Sequence, residues 1–457
     1  MINRSTEMVG FIEEVVELAG KMKRLLFLVF VMAVTFSFGL SVSAKEKEGA
    51  YRTVIEVQDF GPVITKVIVE LGQPVPQGAV IEDTFNVHVE KTDPRVAEGG
   101  WGAHVEGNRT VTNAYVSDKD GNAIDQGRGK YAVLEMEIGP NDLLGSTVNY
   151  DFASGHNDWV DYDYTITQVK DIVAHSGKGG TISDLVIETF AGETRVLVDD
   201  FTTGDATYGD ITLSYADFKP AKDKGKNPLI IWLHGGGEGG SDPTIAIGAN
   251  KAVAFASDEA QEIYGGAYVL APQAPTYWMQ SENSFADGTS IYSNALISLI
   301  KDYVANNPDI DPNKIYIGGA SNGGYMTMLL IRDNPGYFAA AFPVCEGLFH
   351  TRVTDEDIVN MIQTPIWFVH SKNDSVLNPN FTSIPAYNRM IAAGANNVYL
   401  SLFEDVRDTS GLYTNADGQP HQYDGHWSWI YVFNNGPSQI IDGVDTTIME
   451  WMAAQKN

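Results

Sequence analysis

At 457 residues the chain exceeds one ordinary domain, and 44% apolar residues fits packed cores rather than disorder. A formal charge of −29 leaves no basic footprint for phosphate, which argues against nucleic acid or an anionic membrane surface as partner. Cys345 is the single cysteine, so an internal disulfide and a cysteine-based zinc site are excluded; at the end of "FAAAFPVC" it reads as a small buried residue.

Residues 1–44 read as a secretory leader with extra residues in front. Lys21, Lys23 and Arg24 precede the apolar run "LLFLVFVMAVTFSFGL", and "SVSA" offers small residues for cleavage before Lys45. Met22 is an attractive start. Retention as an anchor is the rival reading, because the apolar run is slightly long. Removing residues 1–44 deletes four basic and four acidic residues, so the −29 belongs to residues 45–457. The expectation is an extracellular protein with no stable membrane association once the leader is gone.

Residues 51–174 carry short alternating runs: "YRTVIEV", "VITKVIVEL", "TFNVHVEK", "NAYVSD", "YAVLEMEI" and "YDYTITQV". Turn signals separate them, and no helical period intervenes, which predicts a small all-β sandwich. "DKDGNAID" (118–125) matches the start of a calcium loop, but Ala123 and Gly129 stand where Gly and Glu are needed, so a hairpin turn around Asp120-Gly121 is expected. "HSGKGGT" (175–181) is a glycine-rich joint.

Residues 180–457 show a different grammar. After "LVIETFA" and "DITLSYADFKP" come compact apolar strands: "PLIIWLHGGG", "AYVLAPQ", "KIYIGGAS", "AAFPVC", "PIWFVHS" and "VYLSLFE". Helical stretches such as "SNALISLIKDYVANN" and "GGYMTMLLIRD" lie among them. Buried strands alternating with helices predict an α/β domain with a mostly parallel sheet covered on both faces.

Within that domain Gly319-Ala320-Ser321-Asn322-Gly323 is a G-x-S-x-G between a strand and a helix. Such an elbow strains the serine backbone and lifts Oγ into a cleft. A nucleophilic Ser321 needs an acid and then a histidine downstream. Asp374, on the loop after "PIWFVHS", is the preferred acid, with Glu404 and Asp405 as competitors. Only His421 and His426 come after these acids, and His426, opening "HWSWIY", is preferred; His370 falls inside a strand end. Trp427 and Trp429 are positioned to shape a cleft. His234-Gly235-Gly236-Gly237 ends another strand, and glycines there let backbone amides reach a substrate oxygen. Gly236 and Gly237, with the amide of Asn322, are the candidate oxyanion donors, and Trp278 and Trp427 the candidate pocket walls.

These motifs resemble the α/β-hydrolase superfamily over about residues 180–457. "LHGGGEGG", "APQAP…W", "GGASNGGYMT" and "HSKNDSVLNP" are similar to esterases related to feruloyl esterases and polyhydroxybutyrate depolymerases. "VIEVQDFGPVITKVIVELG", "FNVHV" and "DYTITQ" are similar to secreted esterases with an N-terminal immunoglobulin-like domain. The resemblance implies Ser321 as nucleophile, His426 as base, Asp374 as acid and an oxyanion loop near Gly236 and Gly237. It departs at Glu238 and Gly239, where that family often has Arg or Cys. The expected activity is that of a serine carboxylesterase on short-chain acyl or aryl esters, with no metal or organic cofactor. A prolyl-oligopeptidase-type peptidase stays open, although the propeller repeats usual in front are absent. A polymer-active esterase on feruloylated or acetylated xylan or a polyester also stays open, with Trp101, Tyr115 and Trp159 as candidate contacts. A binding protein on an inactive hydrolase fold is the reading from another class.

Overall fold

Strict alternation builds the front half. Along Phe85–Thr92, Phe85, Val87 and Val89 face inward while Asn86 and Glu90 face solvent, the signature of a strand with one buried face. The computed structural model describes residues 49–175, 180–222 and 225–457. In it a five-stranded sheet, ordered Thr189–Arg195, Ala50–Gln58, Gly61–Pro76, Arg128–Met136, Val111–Ser117, faces a four-stranded sheet, ordered Val186–Ile187, Asp161–Gln168, Phe85–Thr92, His104–Arg109. Tyr51, Val67, Val69, Val87, Leu134, Tyr164 and Ile166 share the core between them. The Asp118 loop is a turn rather than an ion cage. Asp118 Oδ1 accepts from the amides of Asp120 and Asn122 at 2.9 and 3.0 Å.

The expected boundary near residue 180 is corrected. Thr189–Arg195 pairs in parallel with Ala50–Gln58, and Val186–Ile187 pairs with Asp161–Gln168, so chain beyond the joint still belongs to the sandwich. Val186–Ile187 is too short to leave a period in the sequence, and Thr189–Arg195 buries no residue fully, so neither marks a sandwich face. The next sheet begins only at Thr202. Residues 1–44, read as a leader, lie outside the described residues, as do positions 176–179 of the joint. No helix among the described residues is long and apolar enough to cross a membrane.

The second sheet has eight strands, ordered Thr202–Tyr208, Ile211–Phe218, Tyr268–Gln273, Asn227–Leu233, Ile310–Ala320, Ala340–Val344, Ile366–Ser371, Val398–Phe403. Only Ile211–Phe218 runs against the rest. The continuous apolar runs have a plain cause: both faces are covered. Along Asn227–Leu233, Ile230 and Trp232 join one core with Phe342, Trp367 and Phe433, while Leu229, Ile231 and Leu233 join another with Ile317, Leu329 and Phe368. Burying both faces of the central strands supplies most of the drive to form this layer, at ~25 cal/mol per Å² of apolar surface.

Gly49–Asn457 forms one compact unit. Lys251 Nζ pairs with Asp59 Oδ1 at 2.6 Å, and Asn434 Nδ2 donates to Asp59 Oδ2 at 2.9 Å, tying the first hairpin of the sandwich to the α/β layers. Trp159 Nε1 donates to Thr244 Oγ1 at 2.8 Å across the same junction.

Candidate active site

The C-terminal end of the central strand Ile310–Ala320 turns directly into the helix Asn322–Asp333. Ser321 forms the turn with φ 57° and ψ −112°, a conformation costing on the order of 1–3 kcal/mol for a non-glycine residue. Gly323 shows what permits it: a Cβ there would lie 1.9 Å from the Leu233 carbonyl oxygen. The elbow therefore sits against the neighbouring strand, and only glycine fits the contact. The Asn322 amide, first in the helix, has no intrahelical partner and lies at the positive end of the helix dipole. Its side-chain Oδ1 accepts from the Met279 amide at 2.9 Å.

Asp374 comes after the strand Ile366–Ser371 and is almost wholly buried. His426 Nδ1 lies 2.8 Å from Asp374 Oδ2, and Oδ1 accepts from the amides of Val376 and Leu377, each at 2.8 Å. Burial alone would raise this carboxyl, but hydrogen bonds from His370 and His426 outweigh it and hold the group well below the usual carboxylate range. Gly425 makes the approach possible, since a Cβ there would lie 2.2 Å from Asn373 Oδ1. His426 is in the turn before the helix Trp429–Phe433, with 12% of its side chain exposed.

Ser321 and His426 line one cavity of about 440 Å³ together with Gly236, Gly237, Tyr277, Trp427 and Trp429. The sequence gives no sign that the sandwich supplies part of the wall, yet Val148, Tyr150, Gly155 and Asn157 line the same cavity. Gly236 and Gly237 lie in a short turn after the strand Asn227–Leu233. Buried His234 pins that turn. Its Nε2 accepts from the Ala274 amide at 3.0 Å, which leaves Nδ1–H to donate to the Gly235 carbonyl at 2.6 Å. Burial lowers its pKa to about 4, so it stays neutral. Glu238, also buried, folds back on the turn. Asn157 Nδ2 donates to Glu238 Oε1 at 3.0 Å, and burial pushes this carboxyl up to about 7.

Several expectations are corrected. Trp278 is fully buried against His234 and Tyr292 and lines no part of this cavity, because its side chain turns into the core beneath the glycine turn. The competing acids point elsewhere: Glu404 pairs with Lys372, and Asp405 with Arg407 at 2.6 Å. His421 packs on Tyr423, away from Asp374. Of the rings proposed to meet a polymer, Trp159 is tied to Thr244 and Tyr115 donates to the Gly121 carbonyl at 3.3 Å, whereas Trp101 is half exposed. His370, set aside as a strand residue, reaches Asp374 Oδ2 at 3.0 Å. The spacing His370-x-x-x-Asp374 at a strand end was the available signal. Cys345 Sγ, an Asp374 oxygen and a His426 nitrogen lie within 4.8 Å of one another. The acid and imidazole already bond each other, and burial raises the thiol well above its ordinary value, so this is not a ready metal set.

Comparison with known proteins agrees with this architecture. Residues 50–180 match the family of esterase Ig-like N-terminal domains, and residues 296–357, which hold the Ser321 elbow, match the prolyl oligopeptidase family. A poly(3-hydroxybutyrate) depolymerase from Ralstonia pickettii is 33% identical over 127 residues, 26% of this chain and 25% of that protein. The chain thus aligns with about a quarter of that relative's length. The crystal structure of a thermostable esterase superimposes with a TM-score of 0.71 at 23% identity, over 89% of this chain and 100% of the other.

Proposed function

We propose that this chain, an α/β-hydrolase fold behind an esterase Ig-like N-terminal domain, is a secreted serine carboxylesterase acting through Ser321, His426 and Asp374. The observation that carries the reading is the 2.8 Å contact between His426 and the buried Asp374 oxygen, beside a serine on a strained elbow in the same cavity. With Nδ1–H donated to Asp374, His426 has Nε2 available to take the Ser321 proton. Ser321 Oγ attacks the ester carbonyl, and negative charge gathers on its oxygen. The amides of Asn322 and of Gly236 or Gly237 are the donors suited to hold that oxygen, and losing one such donor costs roughly 10²–10³ in rate. The imidazolium returns its proton to the departing alcohol. Water then enters by the same route and releases the acid. Asp374 remains ionised throughout, which stabilises the imidazolium and fixes its tautomer.

The aromatic walls and modest volume favour short acyl or aryl esters. The test is a nitrophenyl ester series from acetyl to dodecanoyl, run beside Ser321→Ala. Turnover confined to short chains and lost in the variant is expected; equal turnover in Ser321→Ala would sink the assignment.

A second reading, a polymer-linked ester as substrate, draws on one feature. Phe152, 77% exposed at a hairpin tip, has ring contacts with Trp101 at 6.1 Å and with cavity-lining Tyr150 at 5.1 Å, a row of rings leading to the cleft. Loss of activity on insoluble polyester or feruloylated xylan in Phe152→Ala, with soluble esters unaffected, would favour it. The peptidase reading draws on the prolyl oligopeptidase match and predicts cleavage of peptide anilides.

A further inference from the structure

Behind Asp374 runs a buried row of polar side chains that the ester hydrolysis leaves unused. His370 has no exposed surface. Its Nε2 lies 3.0 Å from Asp374 Oδ2 and 2.8 Å from the Leu377 carbonyl oxygen. A carbonyl only accepts, so Nε2 carries a hydrogen, shared between that carbonyl and the same Asp374 oxygen that receives His426. The other nitrogen, Nδ1, is 2.8 Å from Ser383 Oγ, and Ser383 Oγ is 3.4 Å from Glu346 Oε1. Glu346 is fully buried, and its second oxygen accepts from the Leu348 amide at 2.7 Å.

The row has a self-consistent set of hydrogens. Burial pushes the Glu346 carboxyl up to about 8, so it keeps its proton at neutral pH. A protonated Glu346 can donate to Ser383 Oγ, whose own hydrogen is then directed at His370 Nδ1. That leaves the hydrogen of His370 on Nε2, facing Asp374. The Asp374 carboxylate thus receives two amides on Oδ1 and, on Oδ2, His426 together with the His370 N–H that it shares with the Leu377 carbonyl. With the His370 contact gone, Oδ2 is held by His426 alone, the residue it has to orient.

Resting on the assignment of Ser321, His426 and Asp374 as nucleophile, base and acid, we propose that His370 is a positioning residue of this site: its Nε2–H, set by Ser383 and Glu346, locks the Asp374 oxygen that aligns His426. It touches neither substrate nor the reacting atoms. Its contribution enters through the precision of the acid, since catalytic groups work only within about 10–20° of their productive geometry.

The test is kcat and KM on 4-nitrophenyl acetate for the whole chain carrying His370→Leu, His370→Gln or Ser383→Ala, each normalised to the serine titrated by a fluorophosphonate. His370→Leu is expected to lower kcat by roughly 10- to 100-fold with KM within about 2-fold, the loss of one charge-assisted hydrogen bond made by the acid. His370→Gln, whose amide N–H reaches the position of Nε2–H, is expected to recover most of that loss. Ser383→Ala should fall between, and carries the test if the leucine variant does not fold. A kcat for His370→Leu within about 2-fold of wild type, or a loss confined to KM, overturns the proposal. So does a glutamine variant as slow as the leucine one. Ser321→Ala in the same series separates the two assignments. Turnover surviving there sinks the nucleophile itself, whereas a dead Ser321→Ala beside an unimpaired His370→Leu sinks only the role of His370.

Discussion

The two sides of the cleft are held in different ways. The side carrying Asp374 and His426 is fixed from within the α/β layers, by buried hydrogen bonds from His370, Val376 and Leu377. The glycine-turn side is fixed partly from outside, by Asn157 of the sandwich bonding Glu238 and by Tyr150 and Gly155 walling the cavity. The first arrangement is local in sequence and rigid by burial. The second depends on two domains staying docked through contacts such as Lys251–Asp59 and Trp159–Thr244. Damage to the first should therefore appear in kcat alone, and damage to the second in both constants.

The largest effect that would break this comparison is expected at Asp374. Asp374→Asn should lower kcat by ~10³–10⁴ with little change in KM, because an amide in its place favours the wrong imidazole tautomer. A drop below ~10-fold would show that the imidazole does not rely on this carboxyl. His426→Ala against His421→Ala sharpens the same side: only the former should lose ~10³ or more in ester turnover.

On the other side, Asn157→Ala removes the hydrogen bond to Glu238 and part of the wall. A loss of about 10-fold in kcat/KM, split between both constants, is expected. If kcat/KM is unchanged, the sandwich is only a neighbour of the turn. The smallest effect concerns stability. Glu346, pushed up to about 8, contributes stability below its unfolded pKa that is lost as pH rises toward 8. Glu346→Gln should therefore melt progressively higher than wild type from about pH 4.5 to about pH 8 and hold that advantage above it, by a few kcal/mol at most. A difference in melting temperature that is flat with pH would contradict the buried, protonated assignment.

Legibility in the sequence divides along the same line. The elbow at Ser321 and the loop acid Asp374 were legible because each is a local event, a strand ending in a fixed turn chemistry. The all-β front and α/β back were legible from period, because one buries a single strand face and the other buries both. The contact of Asn157 with the glycine turn was not legible, since packing alone brings them together, whereas the His370–Asp374 spacing was present in the sequence but showed neither the burial of His370 nor Ser383 behind it. Trp278 shows the opposite failure. Its neighbour Tyr277 borders the cleft, yet the Trp278 side chain goes to the core beside His234, a choice that tertiary packing alone decides.

The most direct test of the central claim is stoichiometric labelling with a fluorophosphonate, and then mapping of the modified peptide. One label per chain on Ser321, in step with loss of ester turnover and absent from His426→Ala over the same interval, is the predicted result. A label on another residue, or full turnover after Ser321 is blocked, would contradict the account.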